Sequence, residues 1–201
     1  RNKLKVDFRP PPNAHTDAII GIDGQMNYNP GRVFPNDPAF DHSRKSLVAE
    51  FGFRGQRLFI IGNHFNSKLG DTSLWSAEQP AFFKSESRRL RIADRINNFV
   101  QQIKMRAPEA HVIVLGDFNA YLGELAMKTL EGRHLINLIN YGLPPQERYT
   151  TNYNGNSQSL DYIFASHSLL AHSPEVEILH INSDYMGRLS DHDPVIARFG
   201  F

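Results

Sequence analysis

Four short strings in this chain gather residues able to do acid–base and phosphoryl chemistry. "LFIIGNHFNSK" delivers Asn63, His64, Asn66 and Lys68, and "VIVLGDFNAY" delivers Asp117 and Asn119. "SLDYIF" sets Asp161 inside an apolar run, and "GRLSDHDPVIARF" puts Asp191, His192 and Asp193 side by side before another. Phosphodiester hydrolysis needs a divalent cation held by hard oxygen ligands, which Asp and Asn supply. It also needs a group that orients and deprotonates the attacking water, and donors for the charge on the phosphoryl oxygens. A histidine clamped by a carboxylate has its tautomer fixed and its pKa raised, which makes it a better donor to phosphate. A carboxylate within an apolar strand is costly unless paired or metal-bound, so Asp161 calls for a partner. Each string alone has a plainer reading. "GDFN" reads as a strand-ending turn, "SDHDP" as a solvated turn, His64 as a surface histidine and Asp161 as a turn cap. It is the four together, each bordering an apolar strand, that favour a site.

The elements that must position these residues are legible in the hydrophobic periodicity. "LKVDF" (Leu4 to Phe8) alternates like a strand and stops at Pro10, Pro11 and Pro12. Asn13 to His42 is rich in turn residues and reads as a long surface loop. "SLVAEFGF" and "RLFIIGNHF" form a hairpin about Gly55, and Ser67 to Phe82 is irregular. Leu90, Ala93, Ile96, Val100 and Ile103 then recur at helical spacing, with Ser85 as N-cap, Glu86 in the first turn and Pro108 marking the end. "HVIVLGDF" is nearly continuous and apolar, the pattern of a strand buried on both faces. "GELAMKTLEG" is a short helix, and "SLDYIFAS", "VEILHI" and "PVIARF" are the last strands. Hairpins mixed with helical crossovers imply helices packed on mixed sheets.

At 201 residues, with 40% hydrophobic and 21% charged residues, the chain can build one well-filled core. The absence of cysteine excludes disulfides, thiolate nucleophiles and Cys-based zinc sites. A net charge of +1 does not mark a strongly cationic nucleic-acid binder, but an enzyme needs only local phosphate contacts. No apolar run reaches the roughly 18 residues of a membrane span, so no stable membrane insertion is expected. The chain opens without Met and runs at once into a strand-like segment, as the middle of a longer protein would.

The strings "GNHFNSK", "VIVLGDFNAY", "SLDYIFAS" and "SDHDPV", in this order, resemble the successive motifs of the endonuclease/exonuclease/phosphatase superfamily. The wording is most similar to bacterial, often exported, nucleases of that group, and the resemblance runs from about Lys5 to the C-terminus. It implies an α/β (α+β) fold of the deoxyribonuclease-I-like kind, a two-layer β-sandwich flanked by helices, with the site where strand ends of both sheets meet. It implies Mg²⁺ or Mn²⁺, with Ca²⁺ as a helper ion, and a nucleic-acid substrate, DNA rather than RNA. Residue by residue, His64 and His192 would be the catalytic histidines, and Asp117 would orient water or hold metal. Asp161 would pair with His192, Asp191 would be a metal ligand, Asn119 would bind phosphate, and Asn66 and Lys68 would be weaker phosphate contacts. Asp193 and Pro194 complete the motif with no chemical role assigned.

The resemblance also implies an early-strand Asn and a metal-binding Glu that the chain does not display. Glu50 and Glu86 stand in other contexts. Residues 1–201 are therefore expected to be the C-terminal portion of one such domain, lacking its N-terminal strands, with the remaining half as a partner. An extracellular or periplasmic location follows from the likeness to exported nucleases. Two alternatives stay open. One is a phosphatase or phospholipase of the same superfamily, acting on inositol phosphates or sphingomyelin. Exposed apolar tips in the Asn13–His42 loop or around Trp75, Phe82 and Phe83 would favour it, whereas packing of those side chains beneath the loop would not. The other is a non-catalytic binding or assembly module.

Overall fold

The computed structural model describes residues 3–73 and 76–201. In chain order its elements are β1 (Gly31–Arg32), β2 (Leu47–Phe53), β3 (Gln56–His64), α1 (Glu86–Arg106), β4 (His111–Asp117), α2 (Leu125–Glu131), β5 (Leu135–Asn137) and α3 (Leu138–Gly142). The hairpin β6 (Thr151–Tyr153) and β7 (Asn156–Gln158) follows, then β8 (Asp161–Ser166), β9 (Glu175–Ile178) and β10 (Val195–Arg198). Among the described residues, one six-stranded sheet runs β1-β2-β3-β4-β8-β5, and β9 pairs with β10 as a separate ribbon.

Strand direction decides where the ends fall. β3 and β4 are parallel, joined through α1, as a parallel pair requires a long crossover. β8 runs antiparallel to β4. The C-terminal ends of β3 and β4 therefore lie at the same end of the sheet as the N-terminal end of β8.

Side-chain alternation gives the sheet two faces. Val48, Phe59, Ile61, Val112, Val114, Tyr162 and Phe164 point into one core with Ile92, Ile96, Phe99, Val100 and Ile103 of α1. Ile113, Leu115, Ile163 and Ala165 point the other way, where Val176, Val195 and Ala197 of the β9/β10 ribbon cover them. The result is a mixed α/β fold, with α1 and α2 on one face and the ribbon, joined by Leu138 of α3, on the other.

Several expectations need correction. The segment Leu4 to Phe8 forms one isolated bridge, Lys5 to Gly52, and no extended strand, with a second bridge, Arg9 to Asn29, just after it. The three prolines that follow have no N–H with which to continue the pairing past Arg9. Residues 13–42 are not a surface loop. Ala18, Ile20, Met26, Val33, Ala39 and Phe40 are buried there. Side chains satisfy parts of their irregular backbone, as where Ile19 N donates to Asn27 Oδ1 at 2.8 Å and Met26 N to Glu50 Oε2 at 2.9 Å, and the Asn29 amide ties the segment to the Glu50 backbone. Ser85 does not cap α1. It is helical itself, and its hydroxyl donates to Asp71 Oδ2 at 2.5 Å. β4 is fully buried on the helix face and partly exposed on the other. Phe82 is exposed and Phe83 half-buried, while Trp75 lies outside the described residues. No helix among the described residues is long and apolar enough to cross a membrane.

Candidate active site

Register sets the centre of the site. His64, at the end of β3, pairs with Asp117, at the end of β4, and Asp117 pairs with Asp161, at the start of β8. Alternation puts Leu58, Ile60, Gly62 and His64 on one face of β3, and Ile163 and Ala165 of β8 on the same face as Asp161. All three polar residues thus stand on the face that the β9/β10 ribbon covers, at the end where its cover stops.

Gly116 makes this row possible. It sits beside Asn63 with φ +134, and a Cβ there would drive into the carbonyl oxygen of Asn63. A side chain at this position would push β3 and β4 apart immediately before Asp117.

Asp117 is fixed by Asn119, whose backbone N–H donates to Oδ1 at 2.8 Å and whose Nδ2 donates to Oδ2 at 3.0 Å. Asn119 adopts φ +49 to make this turn, and its Nδ2 also reaches Phe65 O at 3.2 Å. His64 Nε2 lies 3.4 Å from Asp117 Oδ2. Burial raises the Asp117 carboxyl above the usual carboxylate range; the Asn119 N–H opposes this and the neighbouring Asp161 charge adds to it.

His192 arrives from the other layer. It precedes β10, and its Nδ1 lies 2.6 Å from Asp161 Oδ2. The same oxygen accepts from Thr150 Oγ1 at 2.7 Å, and Thr150 is wholly buried. The hydrogen bond to Asp161 lifts the His192 pKa to about 9 against the lowering effect of burial. Asp117, Asp161 and His192 each offer a ligand atom within 4.8 Å of the others.

The remaining expected residues sit around this group. Asp191 is exposed, outside that trio, and its backbone carbonyl accepts from Thr151 Oγ1 at 2.6 Å. Asn66 is half-buried, with a buried Oδ1 that has no hydrogen-bond partner among the described residues. The Lys68 ammonium is committed elsewhere. It pairs with Glu124 and lies 3.7 Å from the Tyr121 ring centre, and burial pulls its pKa down. Glu124 is in turn held by Arg89, which is fully buried in α1 and also reaches Asp71 at 3.5 Å. Glu50 belongs to an ion pair with Arg57 at 3.1 Å.

The sequence reading missed Thr150, Asn182 and a role for Asp193. The Asp193 carboxylate is buried and accepts from the backbone N–H of Asn182 at 2.8 Å and of Ser183 at 3.1 Å, and from the Ser183 hydroxyl. Burial pushes its pKa up, but these donors outweigh it and the net shift is downward. The string "SDHDP" could have prompted a search for its donors, since a carboxylate beside an apolar strand needs them. Nothing in the letters around Thr150 signalled its bond to Asp161.

A mixed sheet whose strand ends bring two carboxylates and two histidines together fits the deoxyribonuclease-I-like class. The family model for the endonuclease/exonuclease/phosphatase family matches residues 6–192, and the chain belongs to that family. A search of curated proteins returns no match. Among solved structures, the human Nocturnin catalytic domain with bound sulfate superposes with a TM-score of 0.58 at 20% identity, covering 98% of this chain and 60% of that one. D. rerio TDP2 complexed with single strand DNA product gives 0.56 at 22% identity, covering 84% and 65%. The mannosyl-6-phosphatase Bt3783 of Bacteroides thetaiotaomicron gives 0.55 at 18%, covering 79% and 57%. The chain thus spans less than two thirds of each of these structures, and at these identities the likeness establishes the fold.

Proposed function

We propose that the chain carries the catalytic residues of a divalent-metal-dependent nuclease that hydrolyses phosphodiesters of nucleic acid, DNA in preference to RNA. The observation that carries this reading is the row His64–Asp117–Asp161 at one sheet end, with His192 clamped onto Asp161 from the opposite layer.

In this reading His192 is the cationic donor. Its Nδ1 is held by Asp161, and with a pKa of about 9 it is protonated at neutral pH, leaving Nε2–H for a phosphoryl or leaving oxygen. Asp117, oriented by Asn119, aligns the attacking water. His64, on the exposed side of the row, reaches the scissile phosphate. Asn66 contributes a further phosphate contact.

The donor set fits a hard cation. Two carboxylates on adjoining strands, one buried enough to have its pKa raised partly by the other, are stabilised by a neutralising charge. Asp117 and Asp161 would hold it, with Asp191 from the adjacent segment. Mg²⁺ or Mn²⁺ supplies Lewis-acid neutralisation of phosphoryl charge when bound.

The likeness to TDP2 with a DNA product supports a nucleic-acid substrate. The likeness to a mannosyl-6-phosphatase, with the exposed Tyr185, Met186 and Leu189 close in sequence to His192, favours a phosphatase or lipid-directed phosphodiesterase as the second reading. Export to the periplasm or medium, and completion of the site by further chain of the same domain, belong to the proposal too. The test is Mg²⁺-dependent nicking of supercoiled plasmid by the full-length protein. Abolition by Asp117→Ala and by His192→Ala supports the nuclease. Unchanged nicking in either variant would refute the assignment, and hydrolysis confined to sugar phosphates or to sphingomyelin liposomes would establish the second reading.

A further inference from the structure

The segment between β9 and β10 leaves the ribbon, exposes Tyr185, Met186 and Leu189 at its far end, and returns through Asp191 and His192. An exposed excursion of this length would ordinarily hand its mobility to the residues at its base. Here the base is closed by the side chains of Asp193 and Asn182, and Thr151 Oγ1 separately holds the Asp191 carbonyl at 2.6 Å. Asn182 is buried, and its Nδ2 donates to the His192 carbonyl at 2.7 Å while its Oδ1 accepts from the N–H of Leu189 at 3.3 Å and of Ser190 at 3.4 Å. Its own backbone N–H is held by Asp193 Oδ1 at 2.8 Å.

Two carriers of order can be separated. Asp193 grips the outgoing strand of the excursion through Asn182, Ser183 and, at 3.3 Å, His180 Nδ1. That grip alone leaves Leu189 to His192 unattached to the outgoing strand. The Asn182 amide ties the two, and one of its bonds lands on the backbone of the residue whose imidazole meets Asp161.

We infer that Asn182 is a positioning residue for His192: its amide locks the returning strand of the 183–190 excursion so that the imidazole stays seated on Asp161. This rests on the reading of His192 as the phosphate-facing donor. Asn182 makes no hydrogen bond to Asp161 or Asp117 described above; it reaches the site through the backbone of Leu189, Ser190 and His192, a run that also carries Asp191. A misplacement of about 1 Å in a catalytic group can cost roughly 10²-fold in rate.

The test compares the full-length wild-type protein with Asn182→Ala, Asn182→Asp and His192→Ala, on bis(p-nitrophenyl) phosphate with Mg²⁺ or Mn²⁺. The isosteric Asn182→Asp keeps the acceptor for Leu189 and Ser190 and removes the donor to His192. Both Asn182 variants are expected to lower kcat by about 10- to 100-fold with KM within about threefold of wild type, the pattern of a displaced catalytic group rather than lost binding. In the metal-free proteins, the NMR resonance of the His192 Nδ1 proton should be protected from exchange in wild type and lost or broadened in both variants. Wild-type kcat in Asn182→Asp, or an unchanged Nδ1 proton, overturns the inference even if Asn182→Ala fails to fold. A rise in KM alone also overturns it, assigning the excursion to substrate contact. If wild type and His192→Ala hydrolyse equally poorly, the functional reading fails and this inference falls with it; loss of activity in His192→Ala alone, with Asn182→Asp unaffected, sinks only the inference.

Discussion

Asp161 and His192 stand 31 residues apart in the chain and 2.6 Å apart in space, one opening β8 in the main sheet and the other entering β10 in the ribbon. Their contact is where the two layers meet over polar atoms instead of apolar ones. Replacing Asp161 by Asn removes the carboxylate that holds the imidazolium. The His192 pKa should fall from about 9 toward the ordinary histidine value, and hydrolysis should drop by roughly 10²–10³. An NMR titration of His192 beside kcat/KM for the variant checks both; a pKa unmoved by the substitution would detach the two residues.

The same pair makes stability depend on pH in a definite direction. His192 has its pKa raised from 6.5 to about 9, so its contribution is complete below about pH 6.5 and is lost as pH rises through about 9. Solvent screening of the part-exposed imidazole limits the loss to something on the order of 2 kcal/mol. Urea unfolding of the metal-free protein at successive pH values should show this decline, and Asp161→Asn should flatten it. A wild-type profile that rises across that window would contradict the assignment.

Asp117 and Asp161 face each other on adjoining strands, and burial with mutual repulsion raises the Asp117 carboxyl. Adding Mg²⁺ or Mn²⁺ should therefore raise the melting temperature, by the mass action of a ligand that binds only the folded state. Asp117→Asn should remove that rise. An equal rise in wild type and variant would place the cation elsewhere.

Much of this was legible in the letters for a physical reason. β3, β4 and β8 are apolar strings that end abruptly in polar residues, and a strand end is where a chain can present chemistry without burying it. Where the sequence misled, local composition and tertiary burial had parted company. Residues 13–42 carry the Pro, Asn, Asp and Gly of a loop, yet side-chain bonds such as those of Asn29 let them enter the core. Ser85 has the type of a cap, but the Asp71 carboxylate and Arg89 claim its hydroxyl. The β6/β7 hairpin turns at Asn154-Gly155, both at positive φ, but its strands are only three residues each, too short for side-chain alternation to mark them. Thr150 and Asn182 act through hydrogen bonds to residues seven to eleven positions away, which leave no periodic trace.

Gly116 offers a sharper test of how the strand ends are brought together. With φ +134 and the Asn63 carbonyl against it, any Cβ is strained twice, by conformation and by contact. Gly116→Ala should cost on the order of 2–4 kcal/mol in urea unfolding. Because the damage falls between His64 and Asp117, activity under folding conditions should fall as well. A variant as stable and active as wild type would mean that the two strands tolerate separation at this point.

The Arg89 guanidinium is fully buried, with Glu124 at 3.1 Å and Asp71 at 3.5 Å, and Glu124 also carries the Lys68 ammonium. This cluster joins the segment after β3, the start of α1 and the turn after β4, and the first and last of these carry Asn66 and Asn119. Removing one partner of a buried ion pair leaves the others uncompensated, so Arg89→Ala should cost about 3–5 kcal/mol. Arg89→Lys should recover only part, because a single ammonium cannot reproduce the forked contacts to Glu124, Ser85 and Asp71. Lys68→Ala should likewise lower stability and leave KM nearly unchanged, since its ammonium is bound to Glu124 and stacked on Tyr121. Thermal unfolding and steady-state kinetics on the three variants check this; a large KM rise with unaltered stability in Lys68→Ala would restore Lys68 to the substrate.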